Sequence, residues 1–140
     1  NVNYKTVLRH LLPMNPEELM EKAREAMKTA YAPYSDFKVG AAVLTKSGKV
    51  YLGCNIENAS YGLSICAERV AIHKAISERE GISAVAVVSQ SGNSQPCGSC
   101  RQVIIEFNPN AEVYFLKNNE IVSITASQLL PEPFLSAYIP

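Results

Sequence analysis

The sequence predicts an α/β fold, a three-layer αβα sandwich around a central five-stranded mixed sheet. Three observations carry that prediction. Helix-like and strand-like stretches alternate in the order α-β-β-α-β-α-β-β-α, which calls for a sheet covered on both faces. The links at 46–49 and 117–120 are too short for a parallel crossover, which needs about a dozen residues or more, so each joins an antiparallel pair. Ile82 to Val88 is a run of apolar and β-branched residues, the pattern of a strand buried on both sides.

The first helix opens at Asn15, a suitable N-cap, followed by Pro16 in the first turn and by Glu17 and Glu18 at the positive end of the helix dipole. Leu19, Met20, Ala23, Ala26, Met27 and Ala30 then recur at helical spacing, and Ala32-Pro33-Tyr34-Ser35 closes the helix. Phe37 to Leu44 and Val50 to Cys54 are strands of one hairpin, turned by Lys46-Ser47-Gly48-Lys49. Asn58 to Ser64 is a polar loop. Cys66 to Arg79 is a helix with apolar residues on more than one face, closed by Gly81 as its C′ glycine. After the buried strand come a polar loop, Ser89 to Gln95, and a third helix that begins around Pro96-Cys97-Gly98-Ser99-Cys100 and stops near Pro109. Glu112 to Leu116 and Ile121 to Ile124 are the last strands, and a short helix near Ser127 to Leu130 ends the ordered part. Residues 1–13 lack a clear cap or stop. They read as a leader added ahead of a native start at Met14, with a native amphipathic extension as the alternative, and residues 14–140 as a single catalytic domain.

Composition narrows the function classes. Thirteen Lys and Arg balance thirteen Asp and Glu, giving a formal net charge of zero. A nucleic-acid binder needs a cationic surplus to displace counterions, so neither a polynucleotide partner nor an editing role is expected. The longest unbroken apolar run, Ala84 to Val88, is far short of a membrane span, and no signal-peptide pattern opens the chain. A cytoplasmic protein without a membrane partner is expected. In that reducing setting the four cysteines, Cys54, Cys66, Cys97 and Cys100, point to metal or redox chemistry before disulfides.

Three of the cysteines fall at helix N-termini, where the dipole and free N–H groups favour the thiolate that a metal requires. Three thiolates with one position open is the pattern of a catalytic zinc site, whereas structural sites close all four. Glu68, two residues after Cys66, can reach an ion lying beyond the helix end and serve as a proton carrier beside the open position. Cys54 either completes a closed four-cysteine site or is a small core residue of the second strand. Three thiolates leave zinc net negative, so a compensating cation is needed. Arg69 is the expected donor to a cysteine sulfur, with Arg101 and Gln102 as further candidates. His73 is about 10 Å along the helix from Cys66, too far to share the metal, and no role is assigned to it or to His10.

Cys66-x-Glu68 followed by Pro96-Cys97-x-x-Cys100, with thirty residues between Cys66 and Cys97, resembles the zinc nucleobase deaminases in their three-cysteine form. Phe37-Lys38-Val39-Gly40-Ala41-Ala42, Asn55-Ile56-Glu57-Asn58-Ala59-Ser60-Tyr61 and Pro96 to Gln102 narrow the likeness to the small homotetrameric cytidine deaminases that act on free nucleosides, from about Met14 to Phe134. The resemblance implies the cytidine deaminase fold and one Zn²⁺ per subunit on Cys66, Cys97 and Cys100. It implies hydrolysis of cytidine and 2′-deoxycytidine to the uridine counterparts and ammonia, a pyrimidine-salvage reaction, with Glu68 carrying the proton. It further implies that Asn55 and Glu57 bind the ribose, Phe37 stacks on the base, the Ala67 N–H meets the base O2, and Phe134 reaches into a neighbouring subunit's site. Deamination of a cytosine-containing nucleoside antibiotic of the blasticidin S type is the alternative under the same zinc motif, disfavoured by the Asn55–Glu57 pair.

Overall fold

Asn15 caps the first helix by accepting the Glu18 amide at 2.8 Å, and Pro16 takes the first position. The computed structural model describes residues 14–140, so the expectation for residues 1–13 lies outside the described residues. Helix α1, Pro16–Met27, stops short of Ala30 because Lys28, Thr29 and Ala30 hydrogen-bond three residues back, to Glu25, Ala26 and Met27, in tighter turns. Strands β1 (Val39–Thr45) and β2 (Val50–Cys54) form the expected hairpin, in register from Gly40 with Cys54 to Leu44 with Val50. Helix α2 (Ala67–Ser77) leads into β3 (Ile82–Ser89), and α3 (Gly98–Phe107) into β4 (Glu112–Lys117), β5 (Glu120–Thr125) and a one-turn helix α4 (Ala126–Leu129).

The five strands stand in the order β2-β1-β3-β4-β5. Only β3 and β4 run parallel, which they can do because α3 carries the chain between them. The other neighbours are antiparallel, so the sheet is mixed as expected. One face is covered by α1, whose Leu19, Met20 and Ala23 meet Ala42, Leu44, Ala86, Val88 and Tyr114. The opposite face is covered by α2 and α3, whose Ala71, Ile72, Ile104 and Ile105 pack with Ala41, Val43, Val85, Val87 and Val113. Burial on both sides explains why β3 reads apolar throughout.

Two more boundaries depart from the sequence reading for physical reasons. The link at 117–120 shrinks to Asn118-Asn119, both with positive φ (51° and 67°), a two-residue turn whose twist suits a hairpin. Helix α2 ends at Ser77 instead of Arg79. Arg79 takes the left-handed conformation expected of Gly81, at φ 59°, while its N–H reaches Ile76 and that of Glu80 reaches Ala75 in a Schellman closure.

Glycine matters where helices press on the sheet. A Cβ on Gly40 would lie 2.0 Å from the Ala23 carbonyl oxygen of α1, and one on Gly53 2.4 Å from the Ala67 oxygen of α2. The absent side chains let both helix backbones seat directly on the hairpin. Among the described residues no helix is long and apolar enough to cross a membrane.

Candidate active site

The first turn of α2 and the first turn of α3 meet, and their N-cap residues are Cys66 and Cys97. Neither side chain accepts a hydrogen bond from its own helix. The two sulfurs turn towards each other instead, 3.8 Å apart, and Cys100, one turn along α3, brings its Sγ to 3.5 Å from that of Cys97. All three sulfurs lie within 4.8 Å of one another. An ion with Zn–S bonds of about 2.3 Å in tetrahedral geometry needs its sulfurs about 3.8 Å apart, so the donor set fits zinc and leaves a fourth position open. Cys54 is outside the group, on β2 with its thiol 3.5 Å from the Thr29 carbonyl oxygen.

The charge distribution follows from the packing. The neighbouring Cys100 thiol, helped by the Arg69 guanidinium and Cys97, pulls the pKa of Cys66 from 9.0 down to about 5 against the cost of burial. Cys100 is pushed up, first by its bond to Cys66, then by burial and by the Glu68 carboxylate. The Arg69 Nη2 donates to Cys66 Sγ at 3.5 Å. Its Nε is buried without a hydrogen-bond partner. Glu68, 4% exposed, has its pKa raised mainly by burial, with the Cys66 charge adding to the effect.

A cavity of about 320 Å³ opens over the sulfurs and is lined by Phe37, Asn55, Glu57, Cys66, Ala67, Glu68 and Cys97, among others. Asn55 follows directly on β2 and is held against the start of β1, where its Oδ1 accepts the Val39 amide and its Nδ2 donates to the Phe37 carbonyl, both at 2.8 Å. These side-chain bonds add to the backbone bond from the Asn55 amide to the Val39 carbonyl at 3.2 Å, and Phe37 lies just ahead of β1 on the cavity wall. The Glu57 carboxylate accepts the Tyr34 and Ser35 amides at 2.9 and 3.1 Å and the Ser35 hydroxyl. The Ser35 hydroxyl and amide hold its pKa below 4.5.

Arg101 and Gln102 donate elsewhere than to the sulfurs. Arg101 binds the carbonyl oxygens of Pro96 (2.8 Å) and Leu129 (3.0 Å), tying the approach to Cys97 to the end of α4. Gln102 grips the backbone of Phe134 from both sides, donating to its carbonyl at 2.7 Å and accepting its amide at 3.2 Å. The Phe134 ring is 61% exposed, rests edge-on against Tyr138 and does not line this chain's cavity. Ser94, unremarked in the sequence, is buried and lines the same cavity. Its hydroxyl donates to Val87 and accepts the Leu116 amide, both at 2.7 Å, pinning the loop to β3 and β4. No local signal marks it, because both partners come from distant strands.

The family model described as the cytidine and deoxycytidylate deaminase zinc-binding region matches residues 13–117. The chain belongs to that deaminase family. A cytidine deaminase of Halalkalibacterium halodurans is 49% identical over 125 residues, 86% of this chain and 95% of its own. One from Sporosarcina psychrophila is 44% identical with 86% and 92% coverage. The crystal structure of cytidine deaminase from Burkholderia pseudomallei superimposes with a TM-score of 0.82 at 46% identity, covering 86% of this chain and all of that one. The deaminase region so matched contains Cys66, Glu68, Cys97 and Cys100. Relatives of this kind do not favour the blasticidin-type alternative. In this deaminase Cys66, Cys97 and Cys100 form a group that could hold the zinc ion, and the buried Glu68 carboxyl lines the cavity beside them.

Proposed function

We propose that the chain hydrolyses cytidine and 2′-deoxycytidine at C4, giving uridine or 2′-deoxyuridine and ammonia. The observation that carries the reading is the buried Glu68 carboxyl lining a nucleoside-sized cavity beside three sulfurs spaced for one zinc. Zinc held by Cys66, Cys97 and Cys100, one per chain, would supply a water acidic enough to act as nucleophile near neutral pH. The protein's own groups do the rest. Glu68 accepts one proton from the attacking water and delivers it to N3 of the base, then accepts a second from the hydroxyl now on C4 and delivers it to the departing amine, so that its carboxylate is restored when ammonia leaves. Burial suits it to that exchange, because a carboxylate denied solvent gives up its charge more readily. The Ala67 N–H, at the start of α2, faces the base O2, Phe37 stacks on the ring, and Asn55 and Glu57 receive the sugar. Arg69 offsets the negative charge of the three thiolates through Cys66.

The same reading makes the protein a homotetramer acting in the cytoplasm in pyrimidine salvage, with Phe134 serving a neighbouring subunit's site. Support comes from the exposed apolar rim formed by Tyr31, Tyr34, Ile56, Tyr61 and Leu63, and from the outward ring of Phe134 held by Gln102. The test is the loss of cytidine absorbance on adding zinc-loaded protein, with and without a chelator, repeated for Glu68→Gln. Turnover should fall by on the order of 10²–10⁴-fold in Glu68→Gln while zinc content stays at one per chain. Full turnover by that variant, or by chelated protein, would defeat the assignment.

A further inference from the structure

Glu57 sits on an open rim, and an unrestrained glutamate there has three rotatable bonds to lose on meeting a ligand. The structure removes that freedom beforehand through the neighbouring turn. Oε1 accepts the amides of Tyr34 and Ser35, and Oε2 accepts the Ser35 hydroxyl. A carboxylate offers about four acceptor sites, so these three bonds leave one, on Oε2. The same Ser35 hydroxyl accepts the Phe37 amide at 3.1 Å. Between them Asp36 is held at φ 55°, a conformation that fixes the reversal of the chain from Ser35 to Phe37. One hydroxyl thus joins the rim carboxylate to the backbone of the aromatic that lines the same cavity.

We propose that Ser35 is a positioning residue: it leaves a single aimed acceptor on Glu57 for a sugar hydroxyl and fixes the spacing between that acceptor and Phe37. This rests on the reading of Glu57 as a sugar ligand. The Ser35 bonds also keep the carboxylate ionised and therefore purely an acceptor in mildly acid solution.

Steady-state kinetics with cytidine, on zinc-loaded wild type, Ser35→Ala, Ser35→Thr, Glu57→Ala and the Ser35→Ala/Glu57→Ala double variant, test it, with zinc content and thermal unfolding recorded for each. Because water can partly replace an exposed hydroxyl, Ser35→Ala should raise KM about threefold to tenfold while kcat holds within about twofold. Ser35→Thr, which keeps the hydroxyl, should return KM towards wild type. In the Glu57→Ala background, removing Ser35 should add less than about twofold, the signature of a residue that acts through Glu57. An unchanged KM in Ser35→Ala, or an equal rise in both backgrounds, would overturn the proposal. Wild type without turnover, or Glu57→Ala with a wild-type KM, would instead sink the reading of the site on which it rests.

Discussion

Gly53 decides how close α2, and with it Cys66 and Glu68, can lie to the sheet. In Gly53→Ala the new Cβ would stand 2.4 Å from the Ala67 oxygen, 2.5 Å from the Ala71 nitrogen and 3.0 Å from the Ala71 Cβ. The first two are backbone atoms, so no rotamer change relieves the clash. Restoring an ordinary contact of 3.4 Å means that the first turn of α2 must retreat by about 1 Å. Overpacking of this kind costs about 1–3 kcal/mol. Because the displaced turn carries Cys66 and Glu68, the proposed zinc ligand and proton carrier, a shift of that size should also lower kcat by on the order of 10²-fold. Calorimetry, zinc analysis and the cytidine assay on the same preparation would separate the effects, with Gly62→Ala as the control, since a Cβ there meets nothing within 4 Å. A Gly53→Ala protein with wild-type melting temperature and wild-type kcat would refute the idea that close seating of α2 sets the site.

Cys54→Ala should keep a full complement of zinc and near-native turnover, because its thiol lies apart from the sulfur cluster; loss of metal would favour a closed four-cysteine site. Glu57 has a folded pKa below 4.5, so the stability it lends is complete above pH 4.5 and disappears as pH falls through the lowered value. The melting-temperature advantage of wild type over Glu57→Gln should therefore shrink in acid below pH 4.5, and a gap that widens there would contradict the bonds to Ser35. Arg79→Gly should stabilise the fold by about 0.5–1 kcal/mol, the left-handed strain relieved less the added unfolded-state freedom of glycine, raising the melting temperature by roughly 2–4 °C. A decrease would show that the Arg79 side chain makes a compensating contact.

The elements were readable because their signals are local. Asn15-Pro16 announces the start of α1, the β-branched run from 82 announces β3, and the short links force hairpins. The cysteine cluster was readable for the same reason, as a cysteine at each of two helix starts and a third one turn on. What stayed hidden depends on contacts between distant segments. Gly40 and Gly53 look like ordinary strand glycines until Ala23 and Ala67 arrive above them. Arg101 looks as close to the sulfurs as Arg69 does in sequence, yet the helix turns it towards Pro96 and Leu129. Asn118-Asn119 could have been part of a four-residue loop, and only the pairing of Lys117 with Glu120 makes it a two-residue turn. The Ser35–Glu57 link joins residues 22 apart and leaves no trace in either local pattern.

The sulfurs of Cys66 and Cys97 belong to residues 31 apart, with all of β3 lying between them. A fragment carrying only Cys97 and Cys100 offers two thiolates, so high affinity has to wait until β3 is inserted beside β1 and both helix starts have come together. Metal uptake is then a gauge of tertiary assembly. In a zinc titration of refolding protein, tight binding should rise with the sheet rather than with helix content, and the ion should act as a removable cross-link that closes a loop of about thirty residues in the chain.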